Sequence, residues 1–125
     1  QTLIEVSVEG SKSKPDARKA AREIASSLLV KAMVHGKDPN WGRIVMALGK
    51  SGIELQENKV DVFISDIHIV NKGVAIPYFK DAVVSAMAGK QVKFKVDLNL
   101  GNESATAWGC DLTEEYVIFN SAYST

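Results

Sequence analysis

The segment Asp38-Pro39-Asn40-Trp41-Gly42-Arg43 gathers more usable chemistry than any other short stretch of the sequence. It reads as a helix start, with Asp38 as cap and Pro39 at the first helical position. Unpaired N–H groups and the positive helix end would attract an anion there, and the Arg43 guanidinium could grip a carboxylate with two parallel bonds. A purely structural reading stands beside it: Asp38 caps, Trp41 fills the core and Arg43 pairs with a neighbouring acid. The two histidines, His35 and His68, have no partner at a metal-ligand spacing such as H-x-x-x-H or C-x-x-C, so no metal site is expected. Cys110 follows Trp108-Gly109, where a small buried hydrophobe is a better reading than a nucleophile. Gly49-Lys50-Ser51-Gly52 lacks the upstream glycine of a phosphate loop and reads as a helix C-cap. The last residues, Asn120 to Thr125, form a polar tail with Tyr116 and Tyr123 close by, which suggests a docked end rather than a frayed one.

These groups need elements to hold them. Ile4, Val6 and Val8 alternate with polar residues, so Leu3 to Val8 reads as a strand ended by Gly10. Ser13-Lys14-Pro15-Asp16 opens a helix whose inner face is Ala17, Ala20, Ala21, Ile24, Ala25 and Leu28. So many alanines on one face suggest close packing onto a sheet. Leu28 to Val34 is an apolar run without a clear period, read here as a strand after the Ser26-Ser27 break. Trp41, Ile44, Val45 and Leu48 make the stripe of a second helix, stopped by Gly49 and Gly52. Val60 to Ile64 and Ile67 to Val70 read as strands, with a turn at Asn71-Lys72-Gly73. Phe79 to Met87 has helical spacing. Val92 to Leu98 is the cleanest half-buried strand, and Ala105 to Cys110 is another. Leu112, Tyr116, Phe119, Asn120 and Tyr123 keep a spacing of three or four, which reads as a short C-terminal helix capped by Asp111 or Thr113. The order predicts an α/β (α+β) fold, a two-layer sandwich of a mixed sheet with helices, as a single domain over residues 1–125.

Composition excludes several classes. The chain has 125 residues, 15 Lys+Arg against 15 Asp+Glu, 46% hydrophobic and 24% charged residues, the mix of an ordinary globular domain. Zero net charge argues against a nucleic-acid footprint and against a cationic membrane-surface helix. No apolar run approaches the roughly 20 residues of a membrane span. One cysteine rules out an internal disulfide and favours a reducing compartment, the cytoplasm or an organelle matrix.

Three segments together resemble one family: Asp38 to Arg43, then Ala105-Thr106-Ala107-Trp108-Gly109-Cys110-Asp111-Leu112-Thr113, then Tyr116-Val117 through Asn120-Ser121-Ala122-Tyr123-Ser124-Thr125. With Leu3-Ile4-Glu5-Val6 and the alanine-rich helix, they resemble the C-terminal part of the β chain of the ornithine acetyltransferases (glutamate N-acetyltransferases) of arginine biosynthesis. The resemblance implies a precursor that cleaves itself into α and β chains. It implies an acetyl group moved from N2-acetylornithine to L-glutamate through an acyl-threonine, and in some members from acetyl-CoA to glutamate. No cofactor is implied. The implied partners are the α chain and the N-terminal part of the β chain, in a hetero-oligomer, with N-acetylornithine, glutamate and ornithine as small-molecule ligands.

The matching positions carry over two substrate-binding residues, Asn120 and Thr125. No catalytic residue carries over. The family's threonine lies in an Ala-Thr-Met-Leu junction that this sequence lacks, as it lacks the oxyanion-hole residues, a substrate-binding lysine and a Gly-Glu-Gly-Ala-Thr loop. Thr2 does not match, because Leu3-Ile4-Glu5-Val6 corresponds to a later strand. The chain is therefore expected to be a piece of the β chain and silent by itself. The alternative is a non-catalytic interaction or assembly module, with Trp41, Trp108 and the C-terminal aromatics at an interface.

Overall fold

The computed structural model describes residues 1–111. The first strand, β1 (Leu3–Ser11), buries Ile4, Val6 and Val8 completely and leaves the alternate side chains outward. It is followed by helix α1 (Lys14–Ser26), which starts as its sequence requires. The Ser13 hydroxyl accepts from the Asp16 N–H at 3.2 Å, and Pro15 sits in the first turn. The inner face of α1 is Ala17, Ala20, Ala21, Ile24 and Ala25, all buried.

The expected strand over Leu28 to Val34 is a helix instead, α2 (Leu28–His35). Ser27 explains the error. It ends α1 and begins α2, its hydroxyl accepting from the Val30 N–H at 3.3 Å. The break therefore separates two helices. Val30, Met33 and Val34 face inward at helical spacing. The run lacks a visible period because Leu28 and Leu29 are apolar yet about half exposed, at 56% and 49%.

Helix α3 (Gly42–Lys50) begins later than expected, with Trp41 rather than Asp38 at the cap position and no side-chain cap bond. Ile44, Ala47 and Leu48 are its buried residues. Gly49 lies inside it; Ser51 caps its C-terminus and Gly52 takes the left-handed backbone at φ 75°. Strands β2 (Asp61–Ile64) and β3 (Ile67–Asn71) form an antiparallel pair. The expected turn at Asn71 to Gly73 leads into a further two-residue strand, β4 (Val74–Ala75). Helix α4 (Lys80–Met87) and strands β5 (Gln91–Asp97) and β6 (Glu103–Cys110) complete the described elements.

The six strands form one mixed sheet in the order β4-β3-β2-β5-β1-β6. The β1–β5 pair is parallel and the other pairs are antiparallel. One core cluster joins the inner strand residues, Phe94 among them, to the buried faces of the four helices. The predicted two-layer α+β sandwich is the observed architecture. Alternate strand residues, including Glu5, Lys93 and Trp108, point away from that core.

The seating of α1 on the sheet is unusually close at one point. Gly109 pairs with Ile4, so the side it turns to α1 is the core side. A Cβ built on Gly109 would lie 2.5 Å from the Ala25 carbonyl oxygen. No real Cβ sits that near a backbone atom, so alanine there must push α1 off β6. We expect Gly109→Ala to destabilise the chain by about 1–3 kcal/mol, the usual cost of overpacking. Gly49 has nothing within 4 Å of the corresponding position among the described residues and lies within a helix. Gly49→Ala should stabilise by up to about 1 kcal/mol. Urea unfolding of the two variants reads both signs; destabilisation of equal size would contradict the close-approach account.

Candidate functional site

The Asp38 to Arg43 segment is mostly self-satisfied. Asp38 is exposed, and its N–H donates to the Met33 carbonyl at 2.9 Å, closing α2 rather than capping α3. The Trp41, Arg43 and Ile44 N–H groups donate to the carbonyls of Pro39, Asn40 and Trp41 at 2.9, 3.1 and 3.0 Å. Little is left to receive an anion. Arg43 pairs with no acid among the described residues; its Nη1 donates to the Leu29 carbonyl at 3.1 Å and ties α3 to α2. Trp41 is half-buried against the core, as the structural reading has it.

A better-built polar site lies at the end of the sheet, where β1 begins and β6 ends. Leu3 pairs with Cys110, so Thr2 and Asp111 are the next pair outward. The two backbones bond there: the Asp111 N–H donates to the Thr2 carbonyl at 2.9 Å. The Asp111 side chain adds a bond that an ordinary ladder does not have. Its Oδ1 accepts from the Thr2 N–H at 2.6 Å. Its Oδ2 lies 3.5 Å from Nδ1 of His35, in the last turn of α2. Asp111 is buried, 8% exposed, whereas the His35 side chain is 43% exposed. A buried carboxylate is costly unless it is bonded; here the Thr2 N–H supplies the bond and His35 lies within ion-pair range. Sequence reading treated His35 and Asp111 separately, because nothing in a linear spacing joins residues that meet only through the β1–β6 register.

Cys110 is exposed, contrary to the small-buried-hydrophobe reading. Its pairing with Leu3 turns it to the face away from α1. That outer face carries further polar contacts. The Trp108 indole N–H donates to Glu5 Oε1 at 3.2 Å, and the ring stays 60% exposed. Ser7 and Thr106 hydroxyls lie 3.2 Å apart. The Phe63 and His68 rings stack at 4.3 Å, and the Lys95 ammonium sits 4.4 Å from the Phe63 centroid.

His68 also approaches Asp61, with Nε2 3.5 Å from Oδ1, within ion-pair range but without a hydrogen bond. Asp61 is already occupied: Oδ1 accepts from the Lys72 N–H at 2.8 Å and Oδ2 from the Asn99 amide at 2.9 Å. Asn99 in turn donates to the Lys59 carbonyl at 2.7 Å. This cluster fastens the β3–β4 turn and the end of β5 to β2, a structural task. The two residues carried over by resemblance, Asn120 and Thr125, lie outside the described residues, as does the expected helix over Leu112 to Tyr123. Asp111 is the last residue that the structure describes.

The family model for the ArgJ family matches residues 1–125. The chain is 45% identical over 123 residues to the arginine biosynthesis bifunctional protein ArgJ of Symbiobacterium thermophilum, covering 98% of this chain and 31% of that protein. It is 43% identical over 122 residues to the ArgJ protein of Brucella melitensis, covering 97% and 30%. The crystal structure of the arginine biosynthesis bifunctional protein ArgJ from Bacillus halodurans superimposes with a TM-score of 0.92 at 36% identity, over 98% of this chain and 58% of that one. The chain thus spans about a third of the length of the curated relatives it matches.

The Asp61 cluster generates a test of its own. Burial pushes its carboxyl up, but the Lys72 N–H, the Asn99 amide and the charges of Lys72 and His68 together outweigh burial and hold it below its ordinary 3.8. A carboxyl depressed in the folded state adds stability above its unfolded pKa. That stability disappears as pH falls through the folded value. Wild-type chain should lose urea resistance from about pH 4 downward more steeply than Asp61→Asn. Parallel pH profiles for the two would show that Asp61 is not held in this way.

Proposed function

We propose that this chain, which belongs to the ArgJ family, is the substrate-holding C-terminal part of an arginine-biosynthesis acyltransferase. The reaction is transfer of an acetyl group from N2-acetylornithine to L-glutamate. A threonine outside this chain attacks the acetyl carbonyl, the amide C–N bond breaks, and ornithine leaves as the free amine. The glutamate amine then attacks the acyl ester, and the threonine hydroxyl is regenerated. Splitting a difficult amide exchange into two acyl transfers is the ordinary gain from a covalent nucleophile. Acetyl-CoA is a possible second donor on the same route, and no cofactor enters the scheme.

The observation that carries the reading is the extent of the similarity. Family and fold likeness run through this chain end to end, while the chain accounts for about a third of its relatives' length. Asn120 and Thr125 are the proposed substrate-binding residues. Asn120 offers two donors and an acceptor, and Thr125 a hydroxyl, a suitable set for the backbone groups of a zwitterionic amino acid. The partners are the α chain and the N-terminal part of the β chain, which hold the nucleophile and its oxyanion donors. The exposed groups of the outer sheet face, Trp108 above all, suit a chain that works inside a larger assembly.

A second reading, a non-catalytic assembly module, is favoured by the exposed Leu28, Leu29 and Met46 on α2 and α3. It requires concentration-dependent mass and no heat of binding with ornithine or glutamate. The acyltransferase reading requires no turnover from this chain alone, and acetyl transfer once the remaining segments are supplied. In that assembly Asn120→Ala should raise the KM for both amino-acid substrates by about tenfold, the loss expected for one or two hydrogen bonds to charged groups. Turnover by the chain alone, or unchanged Michaelis constants in Asn120→Ala, would remove the roles assigned here.

A further inference from the structure

We propose that the outer edge of β6 receives an added strand: an extended segment of the family polypeptide outside this chain, with acidic side chains at alternate positions. This rests on the reading of the chain as one part of a larger assembly, and it names the surface and the chemistry of the contact.

The backbone shows what that edge offers. The Asp111 N–H donates to the Thr2 carbonyl, toward β1, and the Leu3 N–H donates to the Lys90 carbonyl, beside β5. Backbone groups of successive residues point to opposite sides of a strand. Ile4 and Val6 therefore serve β6, and their partners Gly109 and Ala107 are the β6 residues bonded to β1. Thr106, Trp108 and Cys110 turn their N–H and C=O groups the other way. No strand lies there among the described residues, because β6 ends the sheet. The edge is eight residues long, with Glu103 at its start as its one charge and no proline. Edges that must stay single are usually shortened, charged or interrupted, and this one is not.

Helix α1 supplies the chemistry. Gly101 lies against Lys12, just ahead of α1, and Gly109 against Ala25, near its end, so the helix runs along β6 in the same direction. Lys14, Arg18 and Arg22 line a trough together with Ala105, Thr106, Ala107 and Trp108. Four successive strand residues line one trough only where it follows the backbone edge, since their side chains alternate between faces. The three cations are exposed, and none pairs with an acid among the described residues. Like charges four apart on a helix repel, so the row favours an anionic neighbour. The cations rise about 6 Å apart along the helix, close to the roughly 6.7 Å between alternate residues of a strand. Acidic residues on the α1 side of an added strand would thus meet them in step. Residues on its other side would lie beside Trp108, whose ring is 60% exposed. A second copy of this chain is the poorer occupant. Pairing two β6 edges in one antiparallel sheet would set two cationic rows over one seam.

The test uses this chain assembled with the α chain and the N-terminal part of the β chain. In the assembly, amide exchange read by NMR on labelled chain should be as slow at Thr106 and Trp108 as at Ala107 and Gly109, within about tenfold. Exchange at Thr106 and Trp108 faster by about a hundredfold or more would show an uncovered edge and overturn the proposal. Arg18→Glu/Arg22→Glu should raise the Kd of the assembly, read by dilution and native mass, by about tenfold or more at 0.1 M salt and much less at 1 M. Thr106→Pro removes an outward N–H without touching the β1 ladder and should raise Kd as much. If Thr106→Pro fails to fold, the exchange pattern and the charge reversal decide. A wild-type Kd in the charge reversal would overturn the acidic occupant while leaving the assembly reading intact. Dimers of this chain that Thr106→Pro disrupts would overturn it in favour of a second copy. No association of wild-type chain with the other segments would remove the assembly reading and this inference with it.

Discussion

The structure depends on how closely α1 lies against β1 and β6. The helix offers alanine at four of its five buried positions, and the facing strand answers with Ala105, Ala107 and Gly109 on the core side. Small residues on both surfaces bring the backbones together until the Ala25 carbonyl occupies the space a Gly109 side chain would need. Close approach of this kind strengthens dispersion across the interface, because contact energy falls off within a fraction of an ångström. It also fixes the register. A one-residue slip of β6 would turn Thr106 and Trp108 toward α1, where neither fits. Once β6 is fixed on β1, its exit stands beside the start of β1, and the Thr2–Asp111 contact follows from the pairing.

The sheet is asymmetric in consequence. Its inner face is a continuous apolar surface built from every central strand, with Phe94 and Ile64 among its largest buried side chains. Its outer face holds cross-strand pairs of another type: Glu5 with Trp108 and Lys93, Ser7 with Thr106 and Lys95, Phe63 with Lys95 and His68. Exposed cross-strand pairs contribute only about 0.2–1 kcal/mol each. The inner face therefore supplies the stability and the outer face is left available for function. A half-polar surface bearing an exposed indole differs from a plain solvated face, since an indole that keeps its N–H bonded while its ring stays open is suited to contact with another surface.

The legible parts of the sequence were those where a local rule and the tertiary requirement agree. Strands β1 and β5 alternate cleanly because one face is buried and the other is not. Helix α1 declares its start through Ser13 and its packing through its alanines. Leu28 to His35 misleads because Leu28 and Leu29 remain exposed, which erases the stripe that marks a helix. Asp38 misleads because its N–H serves the preceding helix, so a good capping residue stands beside a helix it does not cap. The family motifs named the segments of interest without giving their geometry. The meeting of Thr2, His35 and Asp111 depends on strand register and on the end of a helix that the sequence reading had assigned as a strand.

Neutral overall charge suits the amino-acid substrates proposed for this chain. A substrate with both an ammonium and a carboxylate is not drawn in by a field of one sign, so long-range steering would add little. Discrimination has to come from a few polar groups at fixed positions, and fixed positions require supports that do not yield. Within the described residues the rigid support is the α1–β1–β6 packing, and at its end the buried Asp111 carboxylate accepts one hydrogen bond, from the Thr2 N–H. A charged group in that place does what an apolar contact cannot, because hydrogen bonds to a carboxylate are directional as well as attractive. The same property makes it unforgiving: removing one partner leaves a buried charge short of a bond, whereas losing a methyl from a broad apolar contact is shared among many neighbours.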